Sequence, residues 1–562
     1  MRRFILILLQ GVSFTIGTSK DYAPHHVKCT AQFVRPATKL SEAELKYIEG
    51  RQAVVKEALK EYLSETGFDD FDVPGLFAKT GGIPNVAVAL SGGSLRAMTF
   101  GGAVVRALDS RTVVGTGTST LGGLLQGSTY ITGLSGGSWL VASMVANDWP
   151  TVDTLKDKFW SIQDVGKPPP GNWKATYRYY KDIFSSIQTK MEAGFRVTMT
   201  DLWGRILSYH VLDRATGMTS THWSQVVDTN SFKNFLMPYP ILLSVFRPQG
   251  QDIVPLDAPV FEMTPHETGS WDAPFQAFTP TRFLGTQPEN GAVVHEQDCI
   301  EGYDNIGFMI GTSASLFCAI IRRGIESGFL SKILASATHL LQTVLDKDDM
   351  DVARFPNPFQ GLLSLPPKIK QDPDLTLVDG GLAGQNIPLW PLLQPERKVD
   401  IILASDATSD DKDNWPNGEA LIATYQRATD KKYTHRKPIP MAVIPDQETF
   451  VKHGLHKTVT FFGCEAKDST MPNEHTPLIV YIPNNAHQFM SNYSTFDLMY
   501  SEENIKSTFA NGLAIATFDE SAEFRIAMSC AIMKRSLERT GMKLEVCETY
   551  FEKYCWSKPS SK

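Results

Sequence analysis

The sequence predicts an α/β fold whose functional groups lie at the carboxyl ends of the strands of a sheet. The apolar run NVAVAL at residues 85–90 is typical of a strand buried on both faces, and a glycine-rich turn and a helical stretch over 97–108 follow it. The same order recurs where the strand candidate STYIT at 128–132 precedes a second glycine-rich turn and a helical stretch over 139–146. Two tight turns are therefore expected at one edge of one sheet.

The other elements fit a single large domain over residues 20–562. An amphipathic helix is expected over 40–62, because Ser41 is a favourable cap and glutamates occupy the early turns. The segment 156–263 is rich in aromatic and polar residues and contains three consecutive prolines, so we expect a cap-like insertion there. Short apolar runs predict further strands at 376–378, 399–404 and 478–482.

The composition is that of a globular protein. Of 562 residues, 42% are hydrophobic and 20% charged, which excludes a disordered chain, a coiled coil and a collagen-like rod. The 54 basic and 61 acidic residues give a net charge of −7. No basic patch is apparent, so we expect no nucleic-acid partner.

The two termini indicate secretion. Met1-Arg2-Arg3 precedes the apolar run FILILLQ, and small residues at 17–19 precede a charged pair, which predicts a signal peptide over residues 1–19. No later apolar run reaches about 18 residues, so no transmembrane segment is expected. The polar carboxyl end, SKPSSK, argues against a GPI anchor.

Cysteines and one sequon agree with a secreted protein. The seven cysteines contain no C-x-x-C pair, and their odd number leaves at least one outside any disulfide. The tripeptide Asn492-Tyr493-Ser494 is an N-glycosylation acceptor sequence, which makes Asn492 a candidate glycosylation site.

The second glycine-rich turn carries a candidate nucleophile. The residues Gly133-Leu134-Ser135-Gly136-Gly137 fit G-x-S-x-G, in which glycines allow a sharp turn and leave room for an acyl carbonyl. The following helix presents free N–H groups to developing negative charge. A glycine-rich turn with a capping serine is the non-catalytic alternative, but the flanking strand and helix favour Ser135 as a nucleophile.

The first glycine-rich turn carries candidate anion-binding groups. The backbone N–H groups of Gly92, Gly93 and Ser94 are suited to an oxyanion hole or a phosphate nest. Arg96, on the first helical turn, is suited to bidentate binding of a phosphate. A plain turn and a surface salt bridge are the respective structural alternatives.

Two arrangements supply a base for Ser135. In an α/β-hydrolase triad the late histidine is His487, whereas in a dyad Asp379 of the turn Asp379-Gly380-Gly381 acts directly. A solvated aspartate with a pKa near ~4 is a poor base for a hydroxyl, but burial raises that pKa. The dyad therefore requires a dry apolar pocket, which suits a fatty-acyl substrate.

The chain resembles the lysophospholipase catalytic domain shared by fungal phospholipases B and animal cytosolic phospholipases of the patatin-related class. The motifs SGGSLRAM, GLSGGSW and DGG carry the resemblance, which extends over nearly the whole mature chain. The further matching stretches are YAPHHVKC near the start, DLWGR at 201–205, FEMTPHETGSWD at 261–272, GYDNIGFMIGTSASLF at 302–317, QNIPLWPLLQPERKVDIILASDA at 385–407, DNWPNG at 413–418 and FEKYCW at 551–556.

The resemblance implies a three-layer fold with helices on both faces of the sheet and a Ser135–Asp379 dyad. It implies an oxyanion hole of Gly92, Gly93 and Ser94, and places the substrate phosphate on Arg96, with Arg397 at a second arginine position. The implied reaction releases a free fatty acid and a glycerophospho-alcohol from phospholipids and lysophospholipids, without cofactor or metal, during transient contact with a membrane or micelle.

The chain also departs from the family pattern. Ser94 stands where glycine is usual, and its side chain narrows the pocket; Tyr550 stands where a cysteine is expected. A triad lipase or esterase, and a lipid-binding relative without turnover, remain the alternative functions.

Two other groups have simpler structural explanations than function. His453 and His456, and the acidic run 410–414, lack the spacing of a metal site, so a solvated loop and an exposed turn are expected. Tyr177, Tyr179 and Tyr180 fit either a lipid-touching lid or ordinary cap packing.

Overall fold

The protein is described by a computed structural model covering residues 22–29, 33–66, 68, 71–115, 117–293, 295, 299–318, 352–429, 439–472 and 474–557. The signal peptide expected over residues 1–19 lies outside these residues. Of the residues described, none forms a helix with the length and hydrophobicity needed to cross a membrane.

The strands are β1 His25–Val27, β2 Arg35–Pro36, β3 Val86–Leu90, β4 Val113–Val114, β5 Gly117–Thr118, β6 Ser128–Gly133, β7 Tyr239–Phe246, β8 Val260–Met263, β9 Glu267–Ser270, β10 Ala277–Pro280, β11 Cys299–Glu301, β12 Ala353–Pro356, β13 Asp374–Val378, β14 Ile401–Asp406, β15 Thr460–Phe462 and β16 Leu478–Pro483.

The α-helices are α1 Glu42–Ser64, α2 Val73–Lys79, α3 Ser94–Leu108, α4 Gly136–Ala146, α5 Val152–Thr154, α6 Trp173–Glu192, α7 Met199–Leu207, α8 Asn230–Lys233, α9 Ile306–Ser313, α10 Pro367–Gln371, α11 Glu419–Thr429, α12 Gln447–Lys452, α13 Glu502–Thr517, α14 Ala522–Thr540 and α15 Glu545–Tyr554.

One large mixed sheet organises the fold and confirms the predicted α/β class. Its strand order is β15-β16-β14-β3-β6-β7-β8-β9-β10-β2, with β13 attached to β7 and β12 to β13. Strands β16, β14, β3, β6 and β7 are parallel, and the ladders beyond them are antiparallel. The central strands β3, β6 and β14 are buried along their whole length, as the continuous apolar run of β3 indicates.

The predicted strand–turn–helix units are present, but both helices begin three residues earlier than expected. Helix α3 begins at Ser94 and α4 at Gly136, directly after the two glycine-rich turns. Glycines just before α3 and in the first turn of α4 conceal the helix starts from a propensity argument. Helix α1 matches its prediction, and the Ser41 hydroxyl accepts the N–H of Glu44 at 3.0 Å.

The expected cap over 156–263 extends too far. Strands β7 and β8 lie within that range, yet both belong to the central sheet, between β6 and β9. The run YPILLSVF of β7 is buried at every position. The inserted helical part therefore ends before Tyr239, and the aromatic composition of the segment concealed a core strand.

Three disulfides are present in the described chain: Cys29–Cys299 and Cys464–Cys555 join segments 270 and 91 residues apart, and Cys530–Cys547 joins segments 17 residues apart. The seventh cysteine, Cys318, is buried, and its sulfur lies 3.7 Å from the Thr200 hydroxyl. Three such bonds indicate folding in an oxidising compartment, which is the environment of the secretory pathway.

Candidate active site

Strand β7 is the common neighbour that brings the two predicted catalytic turns together. Strand β6 runs parallel to β7 and ends with Gly133 opposite Leu242. Strand β13 runs antiparallel to β7 and ends with Val378 opposite Val245. Strands β6 and β13 therefore approach the same short stretch of β7 from opposite directions. Ser135 follows the end of β6, and Asp379 follows the end of β13.

The first glycine-rich turn packs directly against the second. The N–H of Gly137 donates to the Ser91 carbonyl at 3.1 Å. A Cβ atom at Gly136 would lie 2.1 Å from the Ser94 carbonyl oxygen, and one at Gly137 would lie 2.2 Å from the Leu90 oxygen. Glycine is thus required at both positions, because the two backbones touch there.

Ser135 occupies a strained turn between β6 and α4. Its backbone has φ 49° and ψ −118°, in the positive-φ region that non-glycine residues rarely adopt. Such a conformation costs about 1–3 kcal/mol and persists where surrounding structure enforces it, often at active sites. The arrangement is that of a nucleophile elbow, in which a sharp strand-to-helix turn presents the serine hydroxyl.

Asp379 is a buried carboxylate directed at Ser135. Burial raises its pKa to about 6, whereas the N–H of Gly381 and the Ser135 hydroxyl, both acting as hydrogen-bond donors, lower it. The Gly381 N–H lies 2.9 Å from Oδ1. The Ser135 hydroxyl acts on the same carboxyl group, so the two side chains are close, although the geometry between them falls outside that of a standard hydrogen bond in the described chain.

Two serines, one at the end of α9 and one just after it, hold both members of this pair. The Ser313 hydroxyl accepts the N–H of Ser135 at 3.1 Å and donates to the Leu243 carbonyl of β7 at 2.7 Å. The Ser315 hydroxyl accepts the N–H of Asp379 at 3.0 Å. Both serines are fully buried. Sequence reasoning missed them, although the segment GTSAS was one of the stretches that carried the family resemblance.

Of the three residues expected in the oxyanion hole, Gly92 has an N–H that is already used, whereas those of Gly93 and Ser94 are not used within the described chain. The N–H of Gly92 donates to the Asn386 carbonyl at 2.8 Å, so it is not available to an oxyanion. Within the described chain, no hydrogen bond uses the N–H of Gly93 or Ser94. These two donors lie at the start of α3, next to Gly136 of the nucleophile turn.

Ser94 is strained and only partly satisfied. Its φ of 61° lies in the left-handed region, where glycine would be unstrained. Its hydroxyl is fully buried and has no hydrogen-bond partner among the residues that the structure describes. The departure from glycine noted in the sequence therefore has a structural cost.

Arg96 is a buried cation held by neutral acceptors. Its guanidinium donates to the carbonyls of Ala407 (2.9 Å) and Tyr493 and to the Thr495 hydroxyl (3.0 Å). Burial lowers its pKa, and Tyr500, Asp410 and Asp406 oppose that effect. Within the described chain, no carboxylate lies within salt-bridge distance of it. These three hydrogen bonds leave two of its five N–H donors for another ligand.

Arg397 does not fit the phosphate-binding role expected for it. Its guanidinium is sandwiched between the carboxylates of Glu44 and Glu262, and Nη1 also donates to the Pro391 carbonyl. These bonds use all five N–H donors of a side chain that is 1% exposed. Arg397 instead joins α1, β8 and the turn before β14 in a buried ion-pair cluster.

His487 is placed at the surface rather than beside Ser135. Its Nε2 lies 2.9 Å from the Asp519 carboxylate, and both side chains are well exposed. The triad alternative needs an imidazole hydrogen-bonded to the nucleophile, and His487 is engaged elsewhere.

Within the described chain, no group of three or more His, Cys, Asp or Glu side chains is arranged to hold a metal ion.

The three tyrosines at 177, 179 and 180 lie on α6. Tyr179 is buried with its ring 5.0 Å from that of Tyr209, whereas Tyr177 and Tyr180 are partly exposed.

A cavity of about 490 Å³ lies between α1 and α2, lined by Leu63, Phe77 and neighbouring apolar residues. None of the candidate site residues lines that cavity, so it is separate from the dyad.

Comparison with known proteins identifies the relatives of this chain. The family model described as the lysophospholipase catalytic domain matches residues 86–560. Lysophospholipase 2 of Aspergillus fumigatus is 37% identical over 95% of this chain and 93% of its own length. Lysophospholipase 1 of Saccharomyces cerevisiae is 38% identical over 96% of this chain and 84% of its own length.

The fold is also similar to a solved structure at much lower identity. Human GIVD cytosolic phospholipase A2 aligns with a TM-score of 0.66 at 18% identity, covering 92% of this chain and 72% of that chain. The same human protein in complex with methyl γ-linolenyl fluorophosphonate aligns with a TM-score of 0.60. At this identity the likeness establishes the shared architecture of the sheet and its turns.

Proposed function

This chain belongs to the lysophospholipase catalytic domain family, and on that premise we propose that it hydrolyses fatty-acyl esters of lysophospholipids and phospholipids through Ser135 and Asp379. The family membership makes it a carboxylic ester hydrolase. The observation that carries the assignment of residues is the strained turn of Ser135 beside a buried carboxylate whose pKa is raised to about 6.

In the first half-reaction the Ser135 hydroxyl attacks the ester carbonyl carbon while Asp379 takes its proton. The developing oxyanion receives hydrogen bonds from the N–H groups of Gly93 and Ser94. Collapse of the tetrahedral intermediate breaks the bond to the glycerol oxygen, which takes the proton from Asp379. The products of this half are an acyl-serine and the leaving alcohol, which is a glycerophospho-alcohol from a lysophospholipid and a lysophospholipid from a diacyl phospholipid.

In the second half-reaction water replaces the alcohol. Asp379 accepts a proton from the water, whose oxygen attacks the acyl-serine carbonyl, and the same two N–H groups stabilise the oxyanion. Collapse returns the proton to the Ser135 oxygen and releases the fatty acid. Burial makes this carboxylate a better base than a solvated aspartate, because its pKa lies closer to neutral pH.

Arg96 is the proposed binding group for the substrate phosphate. It lies two residues after Ser94, its guanidinium is cationic and without a salt-bridge partner in the described chain, and two donors are left for phosphate oxygens. Arg397 has no such capacity, so the role is proposed for Arg96 and not for Arg397.

The triad lipase alternative is disfavoured because His487 pairs with Asp519. A lipid-binding relative without turnover is disfavoured because both members of the dyad are present and close. Covalent labelling with a fluorophosphonate probe tests the assignment. We expect mass spectrometry to locate the adduct on Ser135 and to find none in Ser135→Ala, and an adduct on another serine would contradict it.

We also propose that the chain is secreted, with a signal peptide over residues 1–19 and a glycan on Asn492. The three disulfides support the first part. The Asn492 side chain is partly exposed. Its amide donates a hydrogen bond to the backbone carbonyl of Asp413, in the acidic turn 410–414, at 2.7 Å. Amino-terminal sequencing of the secreted protein and a mobility shift after glycosidase treatment are the corresponding tests.

A further inference from the structure

The side-chain amide of Asn386 lies where the three turns of the candidate active site meet. The point at which a Cβ atom of Gly92 would lie is 3.1 Å from Asn386 Oδ1 and 3.2 Å from Ser135 Cβ. The corresponding point at Gly381 is 2.5 Å from Asn386 Oδ1 and 3.2 Å from Asp379 Oδ1. The amide oxygen is therefore a close neighbour of both members of the proposed dyad.

The backbone on both sides of Asn386 is fixed to the rest of the site. The N–H of Gln385 donates to the Gly380 carbonyl at 3.0 Å, within the turn that carries the proposed base. The Pro388 carbonyl accepts the hydroxyl of Thr132 at 2.9 Å, and Thr132 lies in β6, the strand that leads to the proposed nucleophile. Asn386 is thus held between the two catalytic turns by the residues that flank it.

The hydrogen-bonding groups of the Asn386 side chain are unused. Among the residues that the structure describes, none forms a hydrogen bond with this amide. The side chain is partly exposed, whereas Ser135 and Asp379 are 4% and 3% exposed. An unused amide that is more accessible than the dyad beside it is suited to bind a polar molecule that approaches the dyad.

The atom that lies nearest the dyad determines which molecule is bound. Asn386 Oδ1 is an acceptor, so it repels an oxyanion and attracts an O–H group. The carboxylate of Asp379, close by, is an acceptor as well. Water can donate one hydrogen to each of two neighbouring acceptors, whereas an alcohol has a single O–H to donate. The pair of acceptors therefore favours water over an alcohol.

From this geometry we infer that Asn386 is a catalytic residue of the second half-reaction, in which it orients the water that hydrolyses the acyl-serine. The inference rests on the proposed function and assigns a further residue to one of its two steps. One hydrogen of the water passes to Asp379 as a proton while the water oxygen forms a bond to the acyl carbon.

The second hydrogen of the water stays on that oxygen throughout the step. It is hydrogen-bonded to Asn386 Oδ1 and leaves with the fatty acid. The bond between the acyl carbon and Ser135 Oγ breaks, and Oγ takes the proton from Asp379. The first half-reaction does not use Asn386, because the Ser135 hydroxyl and the leaving alcohol each have a single O–H, which Asp379 serves.

A neutral amide suits this role better than a second carboxylate. An amide oxygen accepts a hydrogen bond without taking a proton, so the function of the base stays with Asp379. A carboxylate at position 386 would raise the pKa of Asp379 further, because a like charge nearby disfavours ionisation. The residue type is therefore matched to orienting a water molecule beside a carboxylate base.

Competition between water and methanol for the acyl-serine tests the inference. Asn386→Leu keeps a branched side chain but removes both hydrogen-bonding groups, and Gln385→Met is the matched control, because the adjacent Gln385 amide bonds Ala383 and Thr424 instead. Each full-length protein turns over p-nitrophenyl butyrate in buffer that contains methanol. We expect the ratio of methyl butyrate to butyric acid to rise at least about tenfold in Asn386→Leu and to stay unchanged in Gln385→Met.

The same experiment separates this inference from the proposed function. If Ser135→Ala releases p-nitrophenol as fast as the unmodified chain, the proposed function fails. If release depends on Ser135 but the product ratio in Asn386→Leu equals that of the unmodified chain, the inference alone is rejected. A purely structural role gives that second result, since methanol and water attack the same acyl-serine with the same base and oxyanion donors.

A conservative variant keeps the inference testable if leucine prevents folding. Asn386→Asp matches asparagine in size and retains an acceptor oxygen, so its product ratio should stay within about threefold of that of the unmodified chain. The pH below which kcat/KM falls should rise, because the new carboxylate raises the pKa of Asp379. A ratio that rises about tenfold, or an unchanged pH profile, would contradict the position and role inferred for Asn386.

Discussion

Ser313 at the end of α9 and Ser315 two residues later accept, through their hydroxyls, the backbone N–H groups of Ser135 and Asp379 at 3.1 and 3.0 Å. One short segment thus fixes the backbones of two residues that lie far apart in sequence. Because Ser313 is itself anchored to Leu243, the spacing of the dyad is tied to the central strand β7. Positioning of this kind is what a catalytic pair needs from the residues behind it.

Ser313→Ala and Ser315→Ala are expected to lower kcat about tenfold with little change in KM, because each releases the backbone of a dyad residue without touching substrate. Thr312→Ala is the matched control. Its hydroxyl is equally buried but donates to the Phe308 carbonyl within α9. Steady-state kinetics measures kcat for the three variants. If kcat falls as much in Thr312→Ala as in the two serine variants, the serines act only through the stability of the protein.

The pH dependence of turnover should report Asp379. The base must be ionised to accept the Ser135 proton, and its pKa is raised to about 6. We therefore expect kcat/KM to be constant above about pH 7 and to fall about tenfold per unit below pH 6. The profile is measured on a soluble ester. If kcat/KM begins to fall only near pH ~4, the base is a solvated carboxylate instead.

Ser94→Gly is expected to stabilise the protein by about 1 kcal/mol, because glycine adopts a φ of 61° without strain and removes a buried hydroxyl that has no hydrogen-bond partner in the described chain. The backbone N–H of residue 94 is retained, so kcat should not fall. Thermal unfolding and turnover of this variant are compared with those of Ser110→Gly, a serine outside the helices. A tenfold loss of kcat in Ser94→Gly alone would reveal a catalytic use of the hydroxyl.

Arg96→Gln is expected to reduce turnover of lysophospholipid at least about tenfold more than turnover of a neutral ester of the same chain length. Glutamine keeps hydrogen-bonding groups near Tyr493 and Thr495 but loses the charge that holds a phosphate. The measured quantity is the ratio of kcat/KM for lysophospholipid to kcat/KM for the neutral ester. A smaller amount of folded protein lowers both values equally and leaves this ratio unchanged. Equal losses on both substrates would remove Arg96 from phosphate recognition.

The sequence predicted the parts of the site that are local. The turns around Ser135 and Ser94 follow directly from glycines after apolar runs, and the structure retains both. Arg397 illustrates what local patterns miss, since its partner Glu44 is 353 residues away and nothing in QPERKVD indicates a buried ion pair. The same holds for the Gly92 N–H, which is used by Asn386 from a distant turn.

The most direct test of the account is the turnover of purified Asp379→Asn. Asparagine preserves size and the acceptor for the Gly381 N–H but cannot take a proton. The buried carboxylate has a raised pKa, so its ionisation destabilises the folded state above about pH 6, and the variant should be at least as stable there as the unmodified chain. We predict a loss of kcat of at least about 10³-fold with a normal unfolding temperature. Near-normal hydrolysis of lysophospholipid by this variant would contradict the dyad.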